Sequence, residues 1–491
     1  MPQPPSSYTY NHTQTNITSL ISHLETHNIP YSTDPETLTS KANTPHSPAQ
    51  PHETPLAVFF PTSTQHVSTI LKACHERLVA VTTFSSGTSF GGALTATRGG
   101  ICVSFEKMNK IVRLNEDDMD VVVQPGLGWV ELNEVLREKG LFFPVDPAPG
   151  ASVGGMIAMS CSGTNAYRYG TMKEWVISLT AVLANGSIIK THNRPRKSSA
   201  GYDLTHLLIG SEGTLALVTQ AVLKLAILPQ NLHVGLATFT SFQHGVNVVV
   251  ALQKAGHQLE ALELADGPQM HCVNYSRLAG QVFSETPTLF LKFAGPSTAL
   301  LTDQIRAVEQ LCKAQNALSY EVTADTHRID VLWGARKCIG RALLTMKKHP
   351  SDLFMHSDCA VPISNLAALV EGTHELIAAA PSRNRKEWFC ANVGHVGDGN
   401  VHSSIICPVA DRLAVERVLR QIASLALRLE GTVTGEHGVG LKLRDALLEE
   451  VGGQGVEAMR RVKRALDERG ILNPDKVFRL EDDGGEERAK L

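Results

Sequence analysis

The stretch VDPAPGASVGGMIAMSCSGTNAYRYGT, residues 145–171, is a run of small residues set into a chain that otherwise alternates strand and helix. Gly154, Gly155, Gly163 and Gly170 let backbone approach a planar ligand closely, because no Cβ intervenes. Two other runs share this character. TTFSSGTSFGGA (82–93) directly follows a predicted strand. Its Ser85, Ser86, Gly87, Thr88 and Ser89 offer consecutive backbone N–H groups and hydroxyls, which can cradle phosphate oxygens without formal charge. The third run is LLIGSEGTLALVT (207–219). No Gly-x-Gly-x-x-Gly follows a strand and no Walker sequence is present, so a dinucleotide held here does not use a Rossmann loop. Any one of the three runs alone reads as a turn.

At 491 residues the chain exceeds one ordinary domain, and two or three are expected. Hydrophobic residues at 43% and charged residues at 19% suit a globular protein with a large core. Basic and acidic residues number 45 and 48 with no basic block, which argues against a nucleic-acid partner. The nine cysteines are scattered and never spaced Cys-x-x-Cys, so they read as buried thiols of a reducing compartment. No apolar run reaches the roughly 18 residues of a membrane span. The first arginine is Arg77, so an Arg-rich transit peptide is not evident, nor is a signal peptide. Ala489-Lys490-Leu491 at the C-terminus resembles the Ser-Lys-Leu peroxisomal address.

Residues 1–55 read as a mobile lead-in with one short helix near Ile17–His27. In STQHVSTILKACHER, apolar Val67, Ile70, Leu71 and Cys74 recur at helical spacing behind a Ser63/Thr64 cap. VELNEVLREKG is a helix stopped by Gly140, and WVISLTAVLANGSII reads as two strands around Asn185-Gly186. A new mixed segment begins near residue 232, and two long helices follow late, Arg412–Leu429 and one marked by Val456, Met459, Val462 and Leu466. The expected architecture is α+β, with domains at 56–230 and 231–478 and a charged tail at 479–491.

The second half carries NVGHVGDGNVH (392–402). A Gly397–Asn400 turn would pair Val396 with Val401 and His395 with His402, placing both imidazoles on one face. Two such histidines alone read as a structural pair. GTVTGEHGVG (431–440) adds Glu436 and His437 between glycines, and two histidines with a carboxylate and an open position form a typical catalytic divalent site. Asp398 reads as a turn residue that could also partner a ligand. Arg336, in VLWGARK with Trp333, reads on spacing alone as a helix-surface cation.

The order and spacing of PVDPAPGASVGGM, SGTNAYRYGTMKEWV, RKSSAGYDLTHLLIGSEGTLALVT and GILNPDKVF resemble the vanillyl-alcohol oxidase-like (PCMH-type) FAD flavoproteins. The likeness, over about residues 55–478, is to the branch holding D-lactate dehydrogenase (cytochrome), the glycolate oxidase FAD subunit and D-2-hydroxyglutarate dehydrogenase. It implies a PCMH-type FAD-binding domain followed by an FAD-linked oxidase C-terminal domain. It also implies that Ser85–Ser89 hold the FAD pyrophosphate. Pro147, Gly154, Gly155, Ser162, Gly163, Thr164, Tyr169, Gly170, Glu212 and Gly213 would line the flavin, and Asn473 would return to its edge. Thr83 and Ser85 stand where the family has proline and a further glycine, so a retained but reshaped loop is expected. The loop lacks the histidine that some relatives bond to flavin, which implies non-covalent FAD.

By the same resemblance His395, His402 and Glu436 ligate a divalent metal, zinc first, His437 is the base, and Arg336 clamps the substrate carboxylate. The implied reaction is oxidation of D-lactate, or a similar short 2-hydroxy acid, by hydride transfer to flavin. Electrons would pass on to an acceptor such as cytochrome c. Members acting on 2-hydroxyglutarate carry a lysine near His356 and an asparagine in place of Ser404, and their absence favours a short monocarboxylate. Glycolate and 2-hydroxyglutarate are the alternatives within the family. Outside it stand a metal-dependent hydrolase, which gives three flavin-type loops no role, and a subunit without catalysis. The resemblance further implies a mitochondrial location and allows a homodimer.

Overall fold

A computed structural model describes residues 8–44, 47 and 49–481. Ala489-Lys490-Leu491 therefore lies outside the described residues. The chain forms two compact units. The first takes the described residues up to 162, then 171–227 and those from 436 on, and the second takes 163–170 and 228–435.

The first unit contains two main sheets and a two-stranded pair of Leu141–Phe142 with Ala226–Ile227. In one, Tyr31–Ser32, Ala57–Phe59, Ile101–Ser104 and Val81–Phe84 lie side by side, with Ile101–Ser104 parallel to both its neighbours. The other is an antiparallel ladder of Ile111–Asn115, Asp120–Val123, Leu217–Lys224, Val176–Val182 and Ile188–Lys190. Two of its interior strands, Asp120–Val123 and Val176–Val182, are almost wholly buried and rich in Val, as strands covered on both faces require. The turn between Val176–Val182 and Ile188–Lys190 has Gly186 at φ +85°, as Asn-Gly predicts. Helix Thr64–Arg77 starts at Ser63, whose hydroxyl accepts the His66 N–H.

The stretch expected to be a mobile lead-in is folded over its described part. Helix Gln14–Glu25, capped by Thr13, buries Ile17, Leu20 and Leu24 in one core with Val67, Ile70 and Leu71. The chain after Glu436 also departs from the expected boundary by packing within the first unit. The Val81 N–H donates to Ile471 O and the Asn473 N–H to Val81 O, which extends the first sheet by one short parallel bridge. Lys463 is fully buried there, donating to Asp467 and to the carbonyls of Thr214 and Leu472.

The second unit is built on an eight-stranded antiparallel sheet. Its path runs Ser319–Thr323, His233–Thr238, Thr288–Phe293, Ala261–Ala265, Phe389–His395, Asn400–Cys407 and Leu353–His356, with Cys359–Ala360 also pairing to Asn400–Cys407. Helices Gly267–Ser276, Thr326–Lys337 and Ile339–Leu344 bury Met270, Val273, Leu332, Trp333 and Ile339 against the sheet residues Val234, Ala261 and Phe290. Among the described residues no helix is long and apolar enough to cross a membrane.

Candidate active site

Strand Val81–Phe84 delivers the loop 85–89 in the first unit. Among the described residues, 86–89 donate no backbone hydrogen bond, so these N–H groups remain available to an anion. Gly87 makes the bend at φ +73°, where a Cβ would lie 2.9 Å from the Phe84 ring. The hydroxyls behave differently from expectation. Ser85 Oγ lies 2.5 Å and Ser86 Oγ 2.9 Å from Ser152 Oγ, so Ser152 engages the hydroxyls expected to face phosphate. Gly154 serves packing as well, since a Cβ there would meet the Pro125 Cβ at 2.5 Å.

Two buried polar atoms here have no protein partner, Ser89 Oγ and Asn473 Oδ1. Each would cost about 1–3 kcal/mol if left unsatisfied. Open N–H groups followed by such atoms are what a phosphate and a polar ring edge would satisfy, so the unit fits FAD.

Glu212 has a role that the sequence reading did not assign. Its carboxylate accepts from the Val439 N–H at 2.7 Å and the Gly440 N–H at 2.9 Å, and its carbonyl accepts from Asn473 Nδ2 at 2.6 Å. Burial pushes its pKa up to about 7, opposed by those two N–H groups and by Lys476. Glu212 thereby pins the loop that carries His437. The His437 ring lies 4.7 Å from the Phe90 ring, centroid to centroid, and the neighbouring Glu436 accepts from the Ser162 hydroxyl at 2.7 Å. Gly438 is required at φ +75°, because a Cβ would come within 2.4 Å of Met159 Cε. Gly213, at φ +69°, packs beside Thr83, and Pro147 is half-buried.

Gly163, Thr164, Tyr169 and Gly170 fall in the second unit. There the Tyr169 hydroxyl donates to Glu260 at 2.8 Å, and Arg168 forms an ion pair with the same carboxylate.

The histidine hairpin of the second unit has a different register from the one expected. His395 opposes Asn400 and His402 opposes Val393, so the turn is Val396–Gly399 rather than Gly397–Asn400. The two histidines still share a face as diagonal neighbours, because Asn400 and His402 lie two apart on one strand. Their rings stand edge to face with centroids 5.3 Å apart. Gly399 turns the chain at φ +80°, and a Cβ there would lie 2.1 Å from Val361 O. Gly399→Ala is therefore expected to destabilise the protein by more than the about 1–3 kcal/mol of left-handed strain alone, read as a lower chemical-unfolding midpoint.

Two carboxylates that the sequence reading missed organise this face. Glu263 is fully buried; its Oε1 accepts from His395 Nδ1 at 2.6 Å and its Oε2 from Arg336 Nε at 2.9 Å and Nη2 at 2.7 Å. Burial alone would raise its pKa, but Arg336 and His395 outweigh that and hold the carboxyl below its usual range. Glu263 is thus ionised, Nδ1 carries the His395 proton, and Nε2 is the nitrogen turned away from the pair. A carboxylate behind a histidine is the usual support of a metal ligand. Arg336 is likewise a mostly buried, paired cation rather than a surface one.

Asp358 lies beside the second histidine without a hydrogen bond to its Nδ1. Its Oδ1 accepts from Asn400 Nδ2 at 3.0 Å and lies 3.4 Å from His402 Nδ1. Its Oδ2 accepts from the Thr434 hydroxyl at 2.7 Å and the Gly435 N–H at 3.0 Å. Asp398 is exposed in the turn. Two imidazoles on one face, one of them held by a buried carboxylate, fit a divalent metal.

Comparison with known proteins agrees with both units. Residues 55–192 match the FAD binding domain, and residues 228–477 match the C-terminal domain of FAD linked oxidases. The chain belongs to the FAD-linked oxidases. This FAD-linked oxidase is 43% identical over 439 residues to D-lactate dehydrogenase [cytochrome], mitochondrial, of Kluyveromyces lactis, covering 88% of this chain and 75% of that protein. It is 33% identical to glycolate oxidase subunit GlcD of Bacillus subtilis, covering 86% of this chain and 89% of that one. Identity to D-2-hydroxyglutarate dehydrogenase of Xanthomonas citri is 31%, covering 87% and 90%. In fold it is similar to p-cresol methylhydroxylase, with a TM-score of 0.76 at 13% identity over 95% of this chain and 98% of that one. The FAD-linked oxidase thus has the α+β, PCMH-type architecture that its small-residue loops resemble.

Proposed function

We infer that this FAD-linked oxidase is a D-2-hydroxy acid dehydrogenase that converts D-lactate to pyruvate. The observation that carries the reading is Glu263, which holds a cation suited to a carboxylate and a metal-type histidine in one buried network. The names of the relatives support the substrate class. Glu263 engages the Nε/Nη2 edge of Arg336, which leaves Nη1 to bind the substrate carboxylate and fix the orientation of Cα. His437 takes the hydroxyl proton as general base. FAD, when bound, supplies the hydride acceptor at its N5. His395, His402 and Glu436 would hold a divalent metal, zinc in this proposal, whose Lewis acidity favours loss of the hydroxyl proton.

His356 and Ser404 are direct cross-strand partners, so Ser404 lies beside the region near which the 2-hydroxyglutarate members carry lysine. Neither offers the lysine or asparagine for a distal carboxylate, which supports a short monocarboxylate. Cytochrome c is the proposed electron acceptor, and the mitochondrion, named for several relatives, is the proposed location.

The deciding test is anaerobic. The purified protein is expected to be yellow and to bleach with D-lactate but not with L-lactate. A colourless protein, or a flavin that no 2-hydroxy acid reduces, would sink the reading in favour of a hydrolase or a subunit without catalysis.

A further inference from the structure

Helix Arg412–Arg428, in the second unit, carries Arg412, Arg417, Arg420 and Arg428 against a single acid, Glu416. Its inner face buries Val415, Val418, Ile422 and Ala426. Arg417, Gln421, Ser424 and Arg428 recur at i, i+4, i+7 and i+11, which places them in one stripe along the flank. Helix Leu366–Ala379 packs beside it, brought close at Gly372, where a Cβ would lie 2.6 Å from Leu425 Cδ2. Between the two helices runs a groove of about 570 Å³ lined by Arg417, Arg420, Gln421, Ser424, Arg428 and Leu376.

The charge in this groove is uncompensated. Arg412 is paired with Glu416, but among the described residues Arg417, Arg420 and Arg428 form no ion pair or side-chain hydrogen bond. Glu371 and Glu375 of the adjacent helix are exposed and do not pair with them. Arg428 sits at the C-terminal end of the helix, where the dipole favours a cation. Arg417 and Arg420 have no such reason, and like charges three residues apart cost the helix stability. The volume is within the range of small-molecule sites, and Leu376 is the one apolar side chain among the described lining residues.

We propose that this groove binds a ligand carrying two or more neighbouring phosphate groups, through bidentate contacts from Arg417 and Arg420 with Arg428 closing the far end. A guanidinium fork matches a phosphate edge, and two forks one helical turn apart match two adjacent phosphates. The roughly 16 Å of helix axis from Arg417 to Arg428 leaves room for more of the ligand beyond the phosphates. The chemistry is shared by a free diphosphate compound and by a bisphosphorylated lipid headgroup. The proposal is independent of the substrate reading, since none of these residues belongs to the proposed active site.

The test uses the full-length protein saturated with FAD, so that the flavin's own phosphate loop is occupied. Inorganic pyrophosphate is titrated in calorimetrically at low and at physiological ionic strength. Vesicles of neutral phosphatidylcholine, with and without a bisphosphorylated anionic phospholipid, are tested by co-sedimentation. An Arg417→Gln/Arg420→Gln variant is expected to bind the responding probe at least tenfold more weakly. Arg412→Gln, which removes the same kind of charge outside the groove, should bind as the wild type does. Pyrophosphate binding with that pattern identifies a soluble ligand, and vesicle binding alone with that pattern identifies a headgroup. No binding of either probe, or equal weakening by Arg412→Gln, overturns the proposal.

Discussion

Replacing His437 with alanine is expected to leave FAD bound in full amount and to slow anaerobic flavin reduction by D-lactate about 10²–10⁴-fold, the contribution of one positioned general base. The two halves of that expectation rest on different atoms. The proposed phosphate cradle is the 86–89 N–H groups, with Ser89 Oγ and Asn473 Oδ1 as unsatisfied buried atoms beside it, and none of these depends on the imidazole. The loop after His437 is fixed by main chain, because Val439 and Gly440 donate their N–H groups to Glu212. Alanine therefore removes the ring and its contact with Phe90 and leaves the backbone where it was. Stopped-flow absorbance of the flavin measures the rate, and flavin released on denaturation measures occupancy. Partial rescue by added imidazole would identify the missing group as a proton acceptor. An unchanged reduction rate removes His437 from the mechanism, and loss of FAD reassigns it to cofactor binding.

What the sequence made legible follows from periodicity and local chemistry. Ser63 at a helix start, Asn185-Gly186 between two strands and the small-residue loops each act through their own backbone, so each was readable in place. The hairpin is instructive because the register was wrong and the placement of both histidines on one face survived. The expected pairing of His395 with His402 gave way to His395 with Asn400, a shift of two in the paired positions. Side chains alternate with period two, so an even shift keeps the same residues on the same face. An odd shift would have put the imidazoles on opposite sides.

Glu263 and Asp358 were missed for a different reason. They lie 132 and 44 residues before the histidines they adjoin, and no local pattern links such positions. A signal was still present. Glu263 is the single charged residue in the strand Ala261–Ala265, and an ionised carboxylate in an apolar run implies a buried partner. In the lead-in the helix near Ile17–His27 was legible from its spacing, but its docking was not, because the partners of Ile17, Leu20 and Leu24 lie some fifty residues on at Val67, Ile70 and Leu71.

Glu263→Gln is expected to weaken metal binding about 10–100-fold and to lower stability by about 3–5 kcal/mol, as removal of one partner from a buried ion pair does. The amide is nearly the same shape as the carboxylate, so the effect is one of hydrogen-bond direction. Glu263 accepts on both oxygens, from His395 on one and from Arg336 on the other. Glutamine can accept on only one. If its N–H₂ faces Arg336, two donors oppose each other and a mostly buried guanidinium loses its counter-charge. If its N–H₂ faces His395, Nδ1 must become the acceptor, the ring proton moves to Nε2, and that nitrogen is no longer open to the proposed metal. Neither orientation preserves both functions. Elemental analysis per bound flavin, the unfolding midpoint and KM for D-lactate read the three consequences separately. Glu263→Asp keeps the charge with one methylene fewer, and should recover most of the stability but only part of the metal affinity. A glutamine variant with wild-type metal content and KM would show that the carboxylate merely fills space, and would take with it the reading that one buried charge aligns the substrate clamp with the metal ligand.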